Sequence, residues 1–417
     1  MQVLFVLGSF VGWWSVARAD EPLTIPLTVE AAVAEALERN VHVPLAQTDV
    51  AIAQAHIAEV EGERWPTLGI EGHLHGGYPS TYASGDARLQ LVGTVPIVDA
   101  SASAEVRAAK LAPAVAEAEV AIQKSDLARE VRTVFAEILA LESEIALRDA
   151  GLERLQAYVD LVSVRQRAGD PVAGDVLRAR AQQSRSEAER AGVEGALRAA
   201  EISLNGLLGH APDDRLVLAP LPDPTPPSSV AQAWRRAPEL LGSDADIAEA
   251  AAEIAVAKGG FIPTVDLLAN AGAEPVLGSS FDAPANTGRG VGVEGMLELA
   301  WPLWNHGATR AQVSQAELTH TQAQQSKDAV AHDVELAWSH ARQEVDHLAQ
   351  QVAKWRQLEP LALDATLYAE SLYRGGAGSG LDVMDAYDAW MEAGLSSNEA
   401  TFAYRRAEAE LARWEGR

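Results

Sequence analysis

The chain has 417 residues, 48% of them hydrophobic, and a formal net charge of −26. That charge excludes nucleic acid as a partner and a polybasic membrane contact. Cysteine is absent, so disulfides, a thiol nucleophile and an acylated N-terminal cysteine are all unavailable.

Residues 3–16 are mostly apolar, and Ala17-Arg18-Ala19 is an A-x-A cleavage pattern before Asp20. Residues 1–19 therefore read as an export signal, although no Lys or Arg precedes the apolar run. An N-terminal anchor helix is the other reading, but the run is shorter than the ~20 residues a span needs. No later run is long or apolar enough for a membrane helix, so any insertion must use strands.

A first helix opens at Thr28, with Glu30 in its first turn and Val29, Val33, Leu37 and Val41 as its apolar positions. Pro44 is expected to interrupt it, and Trp65-Pro66 to stop it. The period then changes to two. Leu68, Ile70 and Leu74 alternate with Thr67, Glu71, His73 and His75. After a turn-rich stretch, residues 76–86, Leu89, Leu91 and Val95 alternate with Arg88, Gln90 and Thr94, and Pro96 ends the pair. Residues 66–96 thus form a hairpin with one apolar and one polar face.

Residues 101–168 carry a helical pattern broken only by Pro113. Its seam is Val131, Val134, Ile138, Leu141, Ile145, Leu152, Leu155, Val159 and Val162, a coiled-coil-like spacing on a rod about 100 Å long. Ala168-Gly169-Asp170-Pro171 is a turn. A return helix covers 174–209, and residues 212–227, with six prolines, read as a stiff linker without regular structure.

The order then repeats. A helix leads to Phe261-Ile262-Pro263, with Pro263 lying 197 residues after Pro66. A hairpin covers 263–301 around a Gly/Ser/Pro loop at 274–289. In its second strand Val291, Val293, Leu297, Leu299 and Trp301 alternate with Gly292, Glu294, Met296, Glu298 and Ala300. A second rod covers 308–375 and a second return helix 380–415. The chain divides into repeats at 20–211 and 228–417.

Strands of this length suit a tilted bilayer crossing. Leu68, Ile70, Leu91, Val293, Leu297, Leu299 and Trp301 would face lipid. Glu71, His73, His75, Arg88, Glu294 and Glu298 would face a water-filled lumen. Four strands leave two edges, which lipid does not tolerate, so the barrel must close between chains. The rods must bury their seams on each other and on the return helices. The expected fold is a mixed α/β membrane protein, with long antiparallel helical rods forming an α-barrel continuous with a transmembrane β-barrel. The competing class is a soluble periplasmic coiled-coil adaptor without a pore.

The duplicated order resembles the outer-membrane efflux protein family, the TolC-like channels. The residues that carry it are Leu27-Thr28-Val29-Glu30-Ala31-Ala32 with Ala36-Leu37-Glu38-Arg39-Asn40, and Trp65-Pro66-Thr67-Leu68 with Phe261-Ile262-Pro263-Thr264. The exits Pro96-Ile97-Val98-Asp99 and Pro302-Leu303-Trp304-Asn305-His306-Gly307, and the turns 169–177 and 376–384, match as well. The resemblance implies a homotrimer with a twelve-stranded barrel in the outer membrane of a Gram-negative bacterium. It also implies a periplasmic adaptor (membrane fusion) protein and an inner-membrane pump of the resistance-nodulation-division or ABC type.

No catalytic constellation, cofactor motif or metal cluster is found. His73 and His75 share a strand face, where polar lining is the plainer reading and a shared metal site the other. His332, His340 and His347 read as solvent-facing. Asp382 and Asp385 lie three apart at a helix start and share a face. The resemblance implies that acids here line the closed periplasmic end of a tunnel. Asp175 is the equivalent of Asp382 in the first repeat. Tyr373 and Arg374 could hold that end shut. Helix-start acids favoured by the dipole are the alternative for all three carboxylates. Adaptor contact is implied at Gly169, Asp170, Gly376, Ala377 and Ser379, though Asp170-Pro171 departs from the family's small apolar residue after glycine.

Overall fold

The computed structural model describes residues 26–77, 84–170, 173–224, 232–274, 276–277 and 290–417. The expected signal, residues 1–19, and most of the two loops between strands lie outside the described residues.

Two helices open the chain, α1 (Val29–Arg39) and α2 (His42–Gly62). Thr28 caps α1 by accepting from the Ala31 N–H at 3.2 Å. The break between them falls at Asn40 rather than at Pro44. The buried Asn40 side chain accepts from the His42 N–H at 2.9 Å and donates to the Leu207 carbonyl at 3.0 Å. Pro44 then lies in the first turn of α2, where its missing N–H leaves no intrahelical bond unmade.

Strands β1 (Thr67–Gly77) and β2 (Ser84–Val98) pair antiparallel, as do β3 (Thr264–Glu274) and β5 (Gly290–Ala300). Strand β4 (Val276–Leu277), in the stretch expected to be loop, pairs with Gly85 and Asp86 of β2. Strand β2 also pairs with β3, so the two hairpins form one sheet in the order β1-β2-β3-β5. Pro96 does not end β2. The strand continues to Val98 across an irregularity between Pro96 and Val98, a place where the missing proline donor is tolerated.

The rod expected over 101–168 is two helices, α3 (Ala100–Ala109) and α4 (Ala112–Arg167), because Pro113 permits a helix start but no continuous bonding across Lys110-Leu111. Asp99 caps α3 by accepting from the Ala102 N–H at 2.9 Å. Then come α5 (Ala173–Leu208), a 3-10 turn (Ala233–Arg236), α6 (Pro238–Gly259), α7 (Ala308–Arg374) and α8 (Gly380–Trp414). The 67 residues of α7 span about 100 Å. Helix α2 lies along α3 and α4, and α5 continues along α4. In the same way α6 and then α8 lie along α7. In the half away from the sheet the helices form a row, α5-α4-α8-α7, in which α5 and α7 are the outer members.

Three apolar clusters hold this row. One joins α1, the middle of α4 and the end of α5 around Val131, Phe135 and Leu204. Another joins α7 and α8 around Val345 and Tyr404. The third, at the helix turns, draws on α4, α5, α7 and α8.

The proline-rich segment is no free spacer. The Leu27 N–H donates to Val217 at 2.7 Å and the Ala219 N–H donates to Leu27 at 2.8 Å. Leu216, Leu218 and Leu221 pack on the first cluster. Asn205, fully buried, donates to the carbonyls of Pro212 and Asp214. Arg356 pairs with Asp223 at 2.9 Å. Residues 212–224 are therefore a strap bound across the helices.

The end of α8 is tied both to α4 of the first repeat and to α6 of its own. Arg413 Nε donates to Asp126 of α4 at 2.7 Å, and its Nη1 forms a 2.6 Å ion pair with Glu239 of α6. Its guanidinium lies 4.0 Å from the centre of the Trp414 ring. Removing this cation leaves the buried Glu239 carboxylate without its partner, beside the part-exposed Asp126. Arg413→Ala should therefore destabilise the fold by about 3 kcal/mol. Adding Glu239→Gln should recover part of that loss, read as a higher melting temperature for the double variant by circular dichroism. A double variant no more stable than the single would show that charge is not the cause.

Candidate functional site

Two regions carry the residues singled out by sequence: the sheet and the helix turns. Cross-strand register decides which residues share a face of the sheet. Ile70 lies opposite Leu91, Leu91 opposite Ala271, and Ala271 opposite Val293. The next rows on this face are Leu68, Gly93, Ala269 and Gly295, then Val95, Leu267 and Leu297, then Val265 and Leu299. No charged residue enters these rows. Their large side chains are solvent-exposed in the single chain: Leu68 73%, Ile70 72%, Val293 83%, Leu297 64% and Leu299 63%. Trp301, just past β5, is half-exposed and donates its indole N–H to the Phe261 carbonyl at 3.2 Å.

The opposite face is mixed. Glu71 lies opposite Gln90, Asn270 opposite Glu294, and Asp266 opposite Glu298. Glu71, Glu294 and Glu298 are exposed. Val92, Leu268 and Met296 share this face, so it is less uniformly polar than alternation suggested. His73 pairs in register with Arg88 and His75 with Asp86. The side chains of His73, His75 and Arg88 lie outside the described residues. His332, His340 and His347 are exposed on α7. Among the described residues no group of acids and histidines is arranged to hold a metal.

The helix turns are built alike. Helix α4 ends with Gly169 at φ 99° and the Asp170 N–H donating to the Arg165 carbonyl at 3.1 Å. Helix α7 ends with Gly376 at φ 77° and the Ala377 N–H donating to the Leu372 carbonyl at 2.9 Å. Both glycines occupy the left-handed region in which helices commonly terminate. Gly169, Gly376, Ala377 and Ser379 are exposed.

The carboxylates at the turns have three different surroundings. Asp382 closes a capping box: its carboxylate accepts from the Ser379 N–H at 3.0 Å, and its own N–H donates to the Ser379 hydroxyl at 3.2 Å. The Ser379 backbone donor, then its hydroxyl, hold the Asp382 carboxyl below the usual range. Asp385 is exposed on the next turn. Asp175 accepts from the Tyr373 hydroxyl at 3.3 Å.

Tyr373 is the centre of the turn region, 2% exposed. Its ring packs against Tyr158 of α4 with centroids 5.4 Å apart. The Tyr158 hydroxyl reaches the Gly380 carbonyl at 3.4 Å. Gly380 is required there, because a Cβ would lie 2.5 Å from Asp175 Cγ and 2.7 Å from the Tyr158 oxygen. Burial pushes both phenols up, and Asp175 pushes them further. Tyr373 thus keeps its proton and can donate to Asp175.

The cation in this cluster is Arg165, not Arg374. Arg374 is exposed and has no ion pair among the described residues. Arg165 Nε donates to Asp170 Oδ2 at 2.8 Å, Nη1 donates to the Tyr373 carbonyl at 3.0 Å, and the guanidinium lies 4.8 Å from the centre of the Tyr373 ring. The signal for it was available: Leu155, Tyr158, Val162 and Arg165 continue the seam of α4 at helical spacing. The Ser379–Asp382 box was equally legible as S-x-x-D ahead of an apolar helix.

A family model described as outer membrane efflux protein matches residues 32–210 and 230–417. Among solved structures, the outer-membrane channel OprN is 19% identical, with 93% of this chain and 89% of that chain covered and a TM-score of 0.79. CusC, described in terms of transmembrane channel formation, is 18% identical, with 94% and 92% covered and a TM-score of 0.82. The Neisseria gonorrhoeae MtrE channel in its open state is 16% identical, with 93% and 88% covered and a TM-score of 0.79. No curated protein sequence matches significantly. The fold of α-helical rods joined to strands of a β-barrel is that of these TolC-like channels, and the family is one of transport ducts in the outer membrane rather than of enzymes. The family match spans most of both repeats, and the chain belongs to the outer membrane efflux protein family.

Proposed function

We propose that three copies of this chain form one passive exit duct of a tripartite efflux or type I secretion system. The observation that carries this reading is a pair of unfinished rows. The sheet ends in β1 on one side and β5 on the other. The helices end in α5 on one side and α7 on the other. Pairing β1 of each copy with β5 of the next removes every strand edge, which lipid requires. The same rotation sets α5 beside α7 of the neighbour and continues the tube into the periplasm. The uncharged face of the sheet then meets lipid, and the face with Glu71, Glu294 and Glu298 lines the lumen.

The duct performs no chemistry, so transport follows the gradient and energy comes from a pump. An adaptor protein would contact the exposed turns at Gly169, Asp170, Gly376, Ala377 and Ser379. An inner-membrane pump of the resistance-nodulation-division or ABC type would supply the substrate. The narrow end would lie at these turns. Tyr373 and Asp175 would help to hold it shut. Arg374, Asp382 and Asp385 are exposed there. Six such carboxylates from three copies would concentrate cations and repel anions.

Planar-bilayer recordings of the purified protein test this. Wild type should form cation-selective pores of low conductance. Asp382→Asn with Asp385→Asn should lower the cation-to-anion permeability ratio severalfold, and Tyr373→Phe should raise conductance. Selectivity unchanged by the double variant would remove these acids from the constriction.

A further inference from the structure

The rods carry a cavity that the channel reading does not use. It holds about 440 Å³ and lies where α4 meets α8, bounded by residues 220–224 of the strap and by α7. Its apolar wall is Leu139 and Leu147 of α4, Phe402 of α8 and Leu221 of the strap. Three of the strap residues beside it, Pro220, Pro222 and Pro224, have no N–H. That side therefore presents carbonyls and few donors.

The basic groups at the cavity already have partners. Arg356 holds Asp223 at 2.9 Å. Arg405 Nη1 donates to Glu408 at 2.7 Å, and its Nη2 donates to the Pro222 carbonyl. Asn398 spends its Nδ2 on the Ala140 carbonyl at 2.7 Å, which leaves its Oδ1 as an acceptor. The Thr401 hydroxyl donates to the Ser397 carbonyl at 2.8 Å. Glu359 of α7 is different. It is half-buried in the cavity lining, with no ion pair and no side-chain hydrogen bond among the described residues. What the cavity leaves unmet is one negative charge and a set of acceptors beside an apolar wall.

We infer that this cavity binds a small organic cation with an apolar body. Its ammonium group pairs with Glu359, and the strap carbonyls and Asn398 Oδ1 are the acceptors on offer for its remaining N–H groups. Its body lies against the leucines and the Phe402 ring, a surface that also attracts a cation. An anion finds no unpaired cation there. A neutral apolar molecule leaves Glu359 and the acceptors without partners in a partly dry site. A ligand so placed touches α4, α7, α8 and the strap together, and braces the tie between the two repeats. The site lies within one chain and stands whether or not the chains assemble into a duct.

The probe is 4-phenylbutylammonium, with 4-phenylbutanol and 4-phenylbutyrate as its neutral and anionic equivalents. Isothermal titration uses the full-length protein in mild detergent, with protein-free micelles as the blank. The ammonium should bind saturably with a Kd of about 1 mM or tighter. The alcohol and the carboxylate should bind about tenfold more weakly. Glu359→Gln, an isosteric change, should weaken the ammonium about tenfold and leave the alcohol unchanged. Ser143→Phe, which fills the cavity from its α4 wall, should abolish ammonium binding. Ligand-free melting temperatures equal to that of wild type separate a lost site from a lost fold, and Glu359→Gln decides alone if Ser143→Phe does not fold. Ammonium binding unaltered by Glu359→Gln, an alcohol or carboxylate that binds as tightly as the ammonium, or no saturable heat with wild type would each overturn the inference.

Discussion

A backbone donor or acceptor without a partner is tolerable in water and not in hydrocarbon. That constraint organises this chain. Its sheet has one face without a single charge in the paired rows and two edges that end in unpaired strands. In water such a face would be covered, and no described helix packs on it. In lipid the face is satisfied but the edges are not, and the edges then demand further copies of the same chain. The long helices answer the same demand in the aqueous compartment, where the outer sides of α5 and α7 are left without a neighbour.

The two regions hold themselves together by different means. The sheet depends on register: a slip of one residue would turn Leu91, Leu267 and Leu297 to the polar side and bring acids to the apolar one. The rods depend on seams, and each seam is interrupted where the other repeat must be gripped. Arg413 does this near the middle by reaching Asp126 of the first repeat, and the strap at 212–224 does it across Leu27 and Arg356. At the far end the grip is polar and aromatic, with Arg165, Tyr158, Tyr373 and Asp175 in one cluster. These directional contacts sit within the apolar cluster of the turns, beside Val162, Val176 and Val383.

Much of this architecture is legible in the sequence. The change of period from 3.6 to 2 at Trp65-Pro66, and again at Phe261-Ile262-Pro263, marks the passage from helix to strand. The near-constant offset between repeats exposes the duplication. What escaped was long-range. Counting edges joins the two hairpins in one sheet, but nothing local tells that β2 and β3 are the strands that meet, because Leu91 pairs with Ala271 and Val98 with Val265. The prolines of residues 212–227 made the strap look like a spacer, although Leu216 and Leu218 alternate as in an anchored extended segment and Leu221 joins them on the first cluster. At the turns, proximity in sequence singled out Arg374 as the cation beside Tyr373 and the acids. The fold brings Arg165 there instead, from a helix more than two hundred residues earlier. Asp382 illustrates the opposite case: a residue marked for its charge has a local duty as well, in the capping box with Ser379.

The central claim is that the unfinished rows are completed by two further copies of the chain in a membrane. The most direct measurement is the native mass of the full-length protein extracted from membranes in mild detergent, read by light scattering with the detergent contribution subtracted. The account predicts a particle of three chains that is recovered only in the presence of detergent. A monomer that remains in solution without detergent would contradict it, because the apolar face of the sheet and its two open edges would then have no lipid and no neighbour to satisfy them.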